Sequence, residues 1–152
     1  MILPHVVLEE VAAALDPSQA TPVVAAALLH SILVAAHGPS SCKLVKGWAV
    51  LTKRKTYARH VWVEFGGAAL DPAHAILARD LGQADIASTL GIVLTVHEPD
   101  PAAYKRQDDD RQREEMEKAF ETYTHKAATF WQRLPSFIQL KRRMLLRKLR
   151  AQ

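Results

Sequence analysis

Gly47-Trp48-Ala49-Val50, then Ala58-Arg59-His60-Val61-Trp62-Val63-Glu64, then Ala69-Leu70-Asp71-Pro72 are the stretches that decide the fold. From Tyr57 to Phe65 the side chains alternate with a period of two, the signature of a strand with two different faces. Lys43 to Leu51 reads as a preceding strand, with Lys53-Arg54-Lys55 as an exposed turn between them. Gly66-Gly67 has the composition of a tight hairpin turn. It leads into a short third strand, Ala68 to Asp71, closed by Pro72. These runs predict a small antiparallel meander, and Gly91 to His97 predicts one more strand.

Outward from the meander the texture becomes helical. His5 to Leu15 carries Val7, Leu8, Val11, Ala12 and Leu15 at three- and four-residue spacings, a short amphipathic helix. Asp16-Pro17-Ser18 breaks it. Thr21-Pro22 then offers an N-cap followed by proline at the first helical position. The run from Pro22 to Ala36 is apolar on nearly every face, interrupted by His30 and Ser31, and so describes a helix sunk in a core. His37-Gly38-Pro39 ends it. Residues 73–90 read as two short helical pieces. The expected class is α+β: a buried helix packed on a small antiparallel sheet, followed by a basic helical extension.

Glu98-Pro99-Asp100-Pro101 marks the expected boundary between a domain of residues 1–100 and an extension of residues 101–152. The first part carries a net charge of −2 and the second +6. Such asymmetry suggests that the extension meets something of opposite charge. Met116, Phe120, Tyr123, Ala127, Phe130 and Leu134 form one seam on a single long helix that starts at the acidic Asp108-Asp109-Asp110. Pro135-Ser136 breaks that helix. Phe137 to Arg150 is then a basic amphipathic helix.

His60 and Asp71 lie on adjacent expected strands, where cross-strand neighbours are about 5 Å apart. A carboxylate at that distance orients an imidazole and stabilises its protonated form, as a general base requires. A buried helix, a strand entered through Gly47-Trp48, the His60-Val61-Trp62-Val63-Glu64 strand, a glycine turn and Leu70-Asp71-Pro72 together resemble the core of transglutaminase-like proteins. These belong to the papain-like superfamily, and the resemblance covers roughly residues 18–75. It implies a reduced papain-like core with His60 as base and Asp71 as its orienter. In that family the nucleophilic cysteine stands at the amino end of the buried helix. Here that place reads Ser18-Gln19-Ala20-Thr21-Pro22. The single cysteine, Cys42, follows the helix instead. The expected function is therefore a catalytically degenerate interaction module. The alternative is an amide-bond hydrolase or acyl transferase in which Cys42, Thr21 or Ser18 attacks.

Several classes are excluded by composition. At 152 residues the chain suits one core, and 49% hydrophobic content is too high for disorder. One cysteine excludes an internal disulfide framework. His5, His30, His37, His74, His97 and His125 show no metal-ligand spacing alongside Cys42, so neither metal nor cofactor is expected. No apolar run is long enough to cross a bilayer, and no basic residue precedes Lys43 to mark a leader, which leads to an expectation of a soluble, intracellular protein. Trp48 and Trp62 are expected in the sheet interior.

The partner residues expected in the tail are Arg133, Lys141, Arg142, Arg143, Arg147, Lys148 and Arg150, seven cations with no acid among them. A protein assembly ranks first as their partner, nucleic acid second and an anionic membrane surface third. Self-association through the 116–134 seam is a further expectation.

Overall fold

Pro22–His37 forms the helix around which the rest is arranged, and the computed structural model describes it within residues 2–82 and 91–151. Thr21 caps it, its hydroxyl accepting the Val24 N–H at 3.3 Å, and Pro22 occupies the first turn. Gly38, at φ 97°, ends it while its N–H returns to the Val34 carbonyl. In chain order the elements are α1 (Pro4–Ala14), α2 (Pro22–His37), β1 (Cys42–Leu51), β2 (Thr56–Phe65), β3 (Ala68–Leu70), α3 (Pro72–Asp80), β4 (Ile92–Thr95), β5 (Lys105–Arg106), α4 (Asp110–His125), α5 (Ala127–Arg133) and α6 (Ser136–Arg150). The architecture is α+β, as the patterning predicts. The second helical piece expected before residue 90 lies largely outside the described residues.

The sheet runs β3-β2-β1-β4, all antiparallel, with β5 adding a short parallel pairing to the start of β2. Gly66 and Gly67 both take positive φ, 56° and 82°, as a two-residue hairpin turn demands. The β1–β2 register pairs Cys42 with Phe65, Gly47 with His60 and Leu51 with Thr56. Directly paired residues share a face, so Leu44, Val61, Val63 and Phe65 point one way and Gly47, His60 and Trp62 the other. The first set joins the main core with α2. On the second face the Trp62 indole lies over Gly47. A Cβ at Gly47 would collide with that ring and with the Thr95 carbonyl, so only glycine fits there.

The carboxy-terminal helices belong to the same core. Tyr123, Phe130, Ile138, Leu145 and Leu149 are buried in one cluster with α1 and α2. The single long helix expected from the seam is instead two. Lys126, at φ −141° and ψ 65°, leaves the helical region and separates α4 from α5. The break brings Phe130 and Trp131 edge-on to Tyr123, with ring centroids 5.2 and 5.9 Å away, a packing that a straight helix would not reach. The seam residues Met116, Phe120, Tyr123, Phe130 and Leu134 are thus covered by their own chain.

The two mid-helix polar residues of α2, His30 and Ser31, are both met by this extension. The Tyr123 hydroxyl lies 2.7 Å from His30 Nδ1, and the Cys42 backbone also interacts with the His30 ring. Burial pushes the Tyr123 phenol up, so it remains a donor. Arg142 donates to the Ser31 hydroxyl at 3.1 Å while its guanidinium lies over Trp131. Glu117 of α4 reaches back to the sheet, accepting from Lys46 at 2.8 Å and Arg59 at 2.9 Å. Among the described residues, no helix is long and apolar enough to cross a membrane.

Since α6 completes the core, Leu145→Ala is expected to lower unfolding stability by about 2–5 kcal/mol in urea denaturation. A change below about 0.5 kcal/mol would mean that α6 only rests on the surface.

Candidate functional site

His60 sits in the middle of β2, where its backbone is paired with Gly47 of β1. Asp71 follows β3 directly and caps α3, its Oδ1 accepting the Ala73 N–H at 3.1 Å. The expected pair forms: His60 Nε2 lies 2.6 Å from Asp71 Oδ2, and both residues are buried. Assigning the proton to Nε2 makes the imidazole the donor and the carboxylate the acceptor. That leaves His60 Nδ1 as the nitrogen for any further partner. Among the described residues, none hydrogen-bonds to it.

A third residue joins them. One turn into α3, His74 places Nε2 3.1 Å from the same Asp71 Oδ2, and its ring stacks on His60 with centroids 5.4 Å apart. On the same strand face the Trp62 ring lies roughly parallel to His60 at 6.3 Å. Burial by itself raises the Asp71 carboxyl, but the charge and hydrogen bond of His60, the charge of His74 and the Ala73 N–H outweigh it. The carboxyl is held below the ordinary carboxylate range. Burial pushes His74 down, with the Asp71 charge opposing and His60 adding to the fall. The sequence patterning does not place His74 in the site because it makes Asp71 a strand end, and the ring on which His74 stacks, His60, lies in β2. The available signal was Asp71-Pro72-Ala73-His74 at a helix start, which puts the carboxylate and the imidazole at i and i+3.

The candidate nucleophiles do not reach this pair. Cys42 lies five residues from Gly47, the strand partner of His60, or about 17 Å along β1. The alternation also turns it to the opposite face of the sheet. There it packs into the core with α2 and accepts a hydrogen bond from Ser41 Oγ at 3.6 Å. Burial pushes its thiol up, and Ser41 only partly offsets this. Thr21 spends its hydroxyl on the α2 cap, and Ser18 is exposed and donates to Asp16. Thr21 does line a cavity of about 690 Å³ at the amino end of α2, together with Val23, Arg59, Gln112 and Met116. No hydrogen bond links Thr21 to His60 among the described residues.

The expected tail cations divide into two groups. Lys141 donates to the Ala14 carbonyl and to Gln19, Arg142 to Ser31, and Lys148 pairs with Glu10 at 2.7 Å. These three fasten α6 to α1 and α2. Arg133, Arg143, Arg147 and Arg150 are exposed and have no partner among the described residues. On the same outward side, Phe137, Leu140 and Met144 are 44%, 51% and 58% exposed, large fractions for apolar side chains on a packed helix.

Comparison with known proteins gives no match to a family model, to a curated protein or to a solved structure.

Two measurements test this geometry. Alkylation of Cys42 across pH 5–9 is expected to be slower in the native chain than in urea, and unchanged by His60→Ala. A fast native rate at pH 6 that falls in the variant would place the thiol beside the imidazole after all.

The second is stability against pH in chelator-treated protein. A histidine whose folded pKa is depressed contributes stability above about pH 6.5, lost as acid forces it to protonate; a depressed carboxyl contributes above about pH 4, lost as pH falls through its folded value. Urea midpoints should therefore fall in two stages, below about pH 6.5 and again below about pH 4. His74→Gln should shrink the upper stage, to which half-buried His30 also contributes, and Asp71→Asn the lower. An upper stage unchanged in His74→Gln would contradict this account.

Proposed function

We propose that this chain is a non-catalytic, transglutaminase-like interaction module whose outward α6 face docks in an apolar, acid-rimmed groove on another protein. The supporting observation is the row Phe137, Leu140 and Met144, exposed at i, i+3 and i+7 beside the unpaired Arg143, Arg147 and Arg150. That spacing is the one by which a helix sets anchors into a groove. The inner face of α6 is already used by Ile138, Leu145 and Leu149, so what remains outward is a narrow ridge. A membrane surface rewards a broad apolar face, and a phosphate backbone has no use for apolar anchors. An apolar groove with carboxylates at its rim suits both halves of the pattern.

The hydrolase alternative has a base and an orienter in His60 and Asp71, at 2.6 Å. It lacks an attacking group at His60 Nδ1 among the described residues, and a triad without its nucleophile loses most of its rate.

Deleting residues 136–152 is a poor test, because it strips Ile138, Leu145 and Leu149 from the core. A photo-crosslinking side chain at position 140 of the full-length chain identifies the partner covalently, and affinity is then measured with both proteins purified. Leu140→Asp is expected to weaken binding by roughly 30-fold or more. Arg143→Glu with Arg147→Glu should weaken it further at low salt than at high salt, and His60→Ala should leave it unchanged. Equal affinity in Leu140→Asp overturns the reading. So does sedimentation of the wild-type chain with phosphatidylserine vesicles, or duplex DNA binding that persists in Leu140→Asp.

A further inference from the structure

His60, Asp71 and His74 present three donor atoms that all lie within 4.8 Å of one another. Both imidazoles aim the same atom, Nε2, at one carboxylate oxygen, Asp71 Oδ2, at 2.6 and 3.1 Å. The other oxygen, Oδ1, is committed to the Ala73 N–H, which fixes the carboxylate plane. The His60 ring is set by its strand and by the Trp62 and His74 rings that lie roughly parallel to it. The ligands come from two rigid elements, the centre of β2 and the first turn of α3, and their orientations are supported from behind. The Asp71 carboxylate is a buried acceptor between two imidazole nitrogens, and a small cation suits that place.

We infer that His60, Asp71 and His74 form a three-ligand site for a borderline divalent transition-metal ion of the zinc class. Two imidazole nitrogens and one carboxylate oxygen suit such an ion and leave its fourth position for water or a ligand from a partner. With bonds of about 2.0–2.2 Å in a tetrahedral arrangement, the donors stand roughly 3.3 Å apart. The two separations to Asp71 Oδ2 therefore open by less than about 1 Å, and the two Nε2 atoms, within 4.8 Å of each other, draw to the same spacing. The His74 side chain, at 16% exposure the least buried of the three, gives the ion its way in. The atoms balance without a co-reactant. Three metal–ligand bonds form as the His60 Nε2–H···Oδ2 hydrogen bond breaks and its proton moves to Nδ1, while His74, with Nε2 3.1 Å from Oδ2, binds through Nε2 and carries its proton on Nδ1. Neither Nδ1 has a partner among the described residues. This site is independent of the α6 surface and goes beyond the docking role.

Zinc alone is the probe, added to full-length protein stripped with a chelator and titrated against a chromophoric competitor. The expected result is one equivalent per chain, a raised melting temperature, and at least 100-fold weaker binding in His74→Gln. His74 is at the edge of the cluster, so this variant should keep its circular dichroism spectrum. His60→Gln provides a second deletion, and His125→Gln on the far surface of α4 should bind as the wild type does. Cobalt in place of zinc should give the visible d–d bands of a tetrahedral site, lost in His74→Gln. The inference is overturned by the absence of stoichiometric binding at 100 µM zinc, by binding unchanged in both His74→Gln and His60→Gln, or by binding that is lost only in Cys42→Ser.

Discussion

A sixteen-residue helix with no carboxylate, lysine or arginine has to be surrounded, and α2 is that helix. Nine of its side chains are buried, so elements must cover it from several directions: the sheet, α1, α3, α4 and α6. The apolar residues set this demand, but two polar ones set its form. His30 and Ser31 lie mid-helix, and an unpaired polar group in such a place costs about 1–3 kcal/mol. Ser31 Oγ donates to the Leu28 carbonyl of its own helix, and further partners come from the far end of the chain, Tyr123 and Arg142. The extension is therefore part of the core chemistry of the fold. Its helices supply both apolar cover and further hydrogen bonds to the centre of the molecule.

The same commitment shapes the surface. Lys141, Arg142 and Lys148 are drawn inward to carbonyls, a hydroxyl and a carboxylate of α1, α2 and the turn between them. Only the cations pointing the other way remain for something else. A helix that shows basic and amphipathic character along its whole length thus has two roles on two faces, one structural and one open. The break at Lys126 serves the first role, since it turns Phe130 and Trp131 onto Tyr123.

On the opposite face of the sheet, the His60–Asp71 contact depends on register. Gly47 permits the Trp62 ring to lie flat, Trp62 backs His60, and the β3 turn delivers Asp71 as the cap of α3. Each step is local, and the outcome is a tightly held imidazole–carboxylate pair. The same register carries Cys42 away from that pair, and by alternation it cannot be brought back without shifting all of β1.

Much of this was legible in the residues. The cap Thr21, the paired glycines of the hairpin, the alternation from Tyr57 to Phe65 and the apolar run of α2 are local signals, and local physics settles them; the role of Asp71 as the cap of α3, where a strand end was expected, is not. The His60–Asp71 pair was legible for the same reason, being joined by one tight turn. What the residues did not decide was where distant segments meet. His74 enters the site only because α3 starts at Asp71 and turns its i+3 side chain back onto β2. The long seam bends because three aromatic rings pack better than a straight helix allows. Which cations of the tail are fasteners and which are free depends on the carbonyls and carboxylates that tertiary packing brings beside them. Secondary structure follows from spacings of two, three and four residues along the chain, whereas sites and surfaces depend on contacts between residues tens of positions apart, which only the packed core specifies.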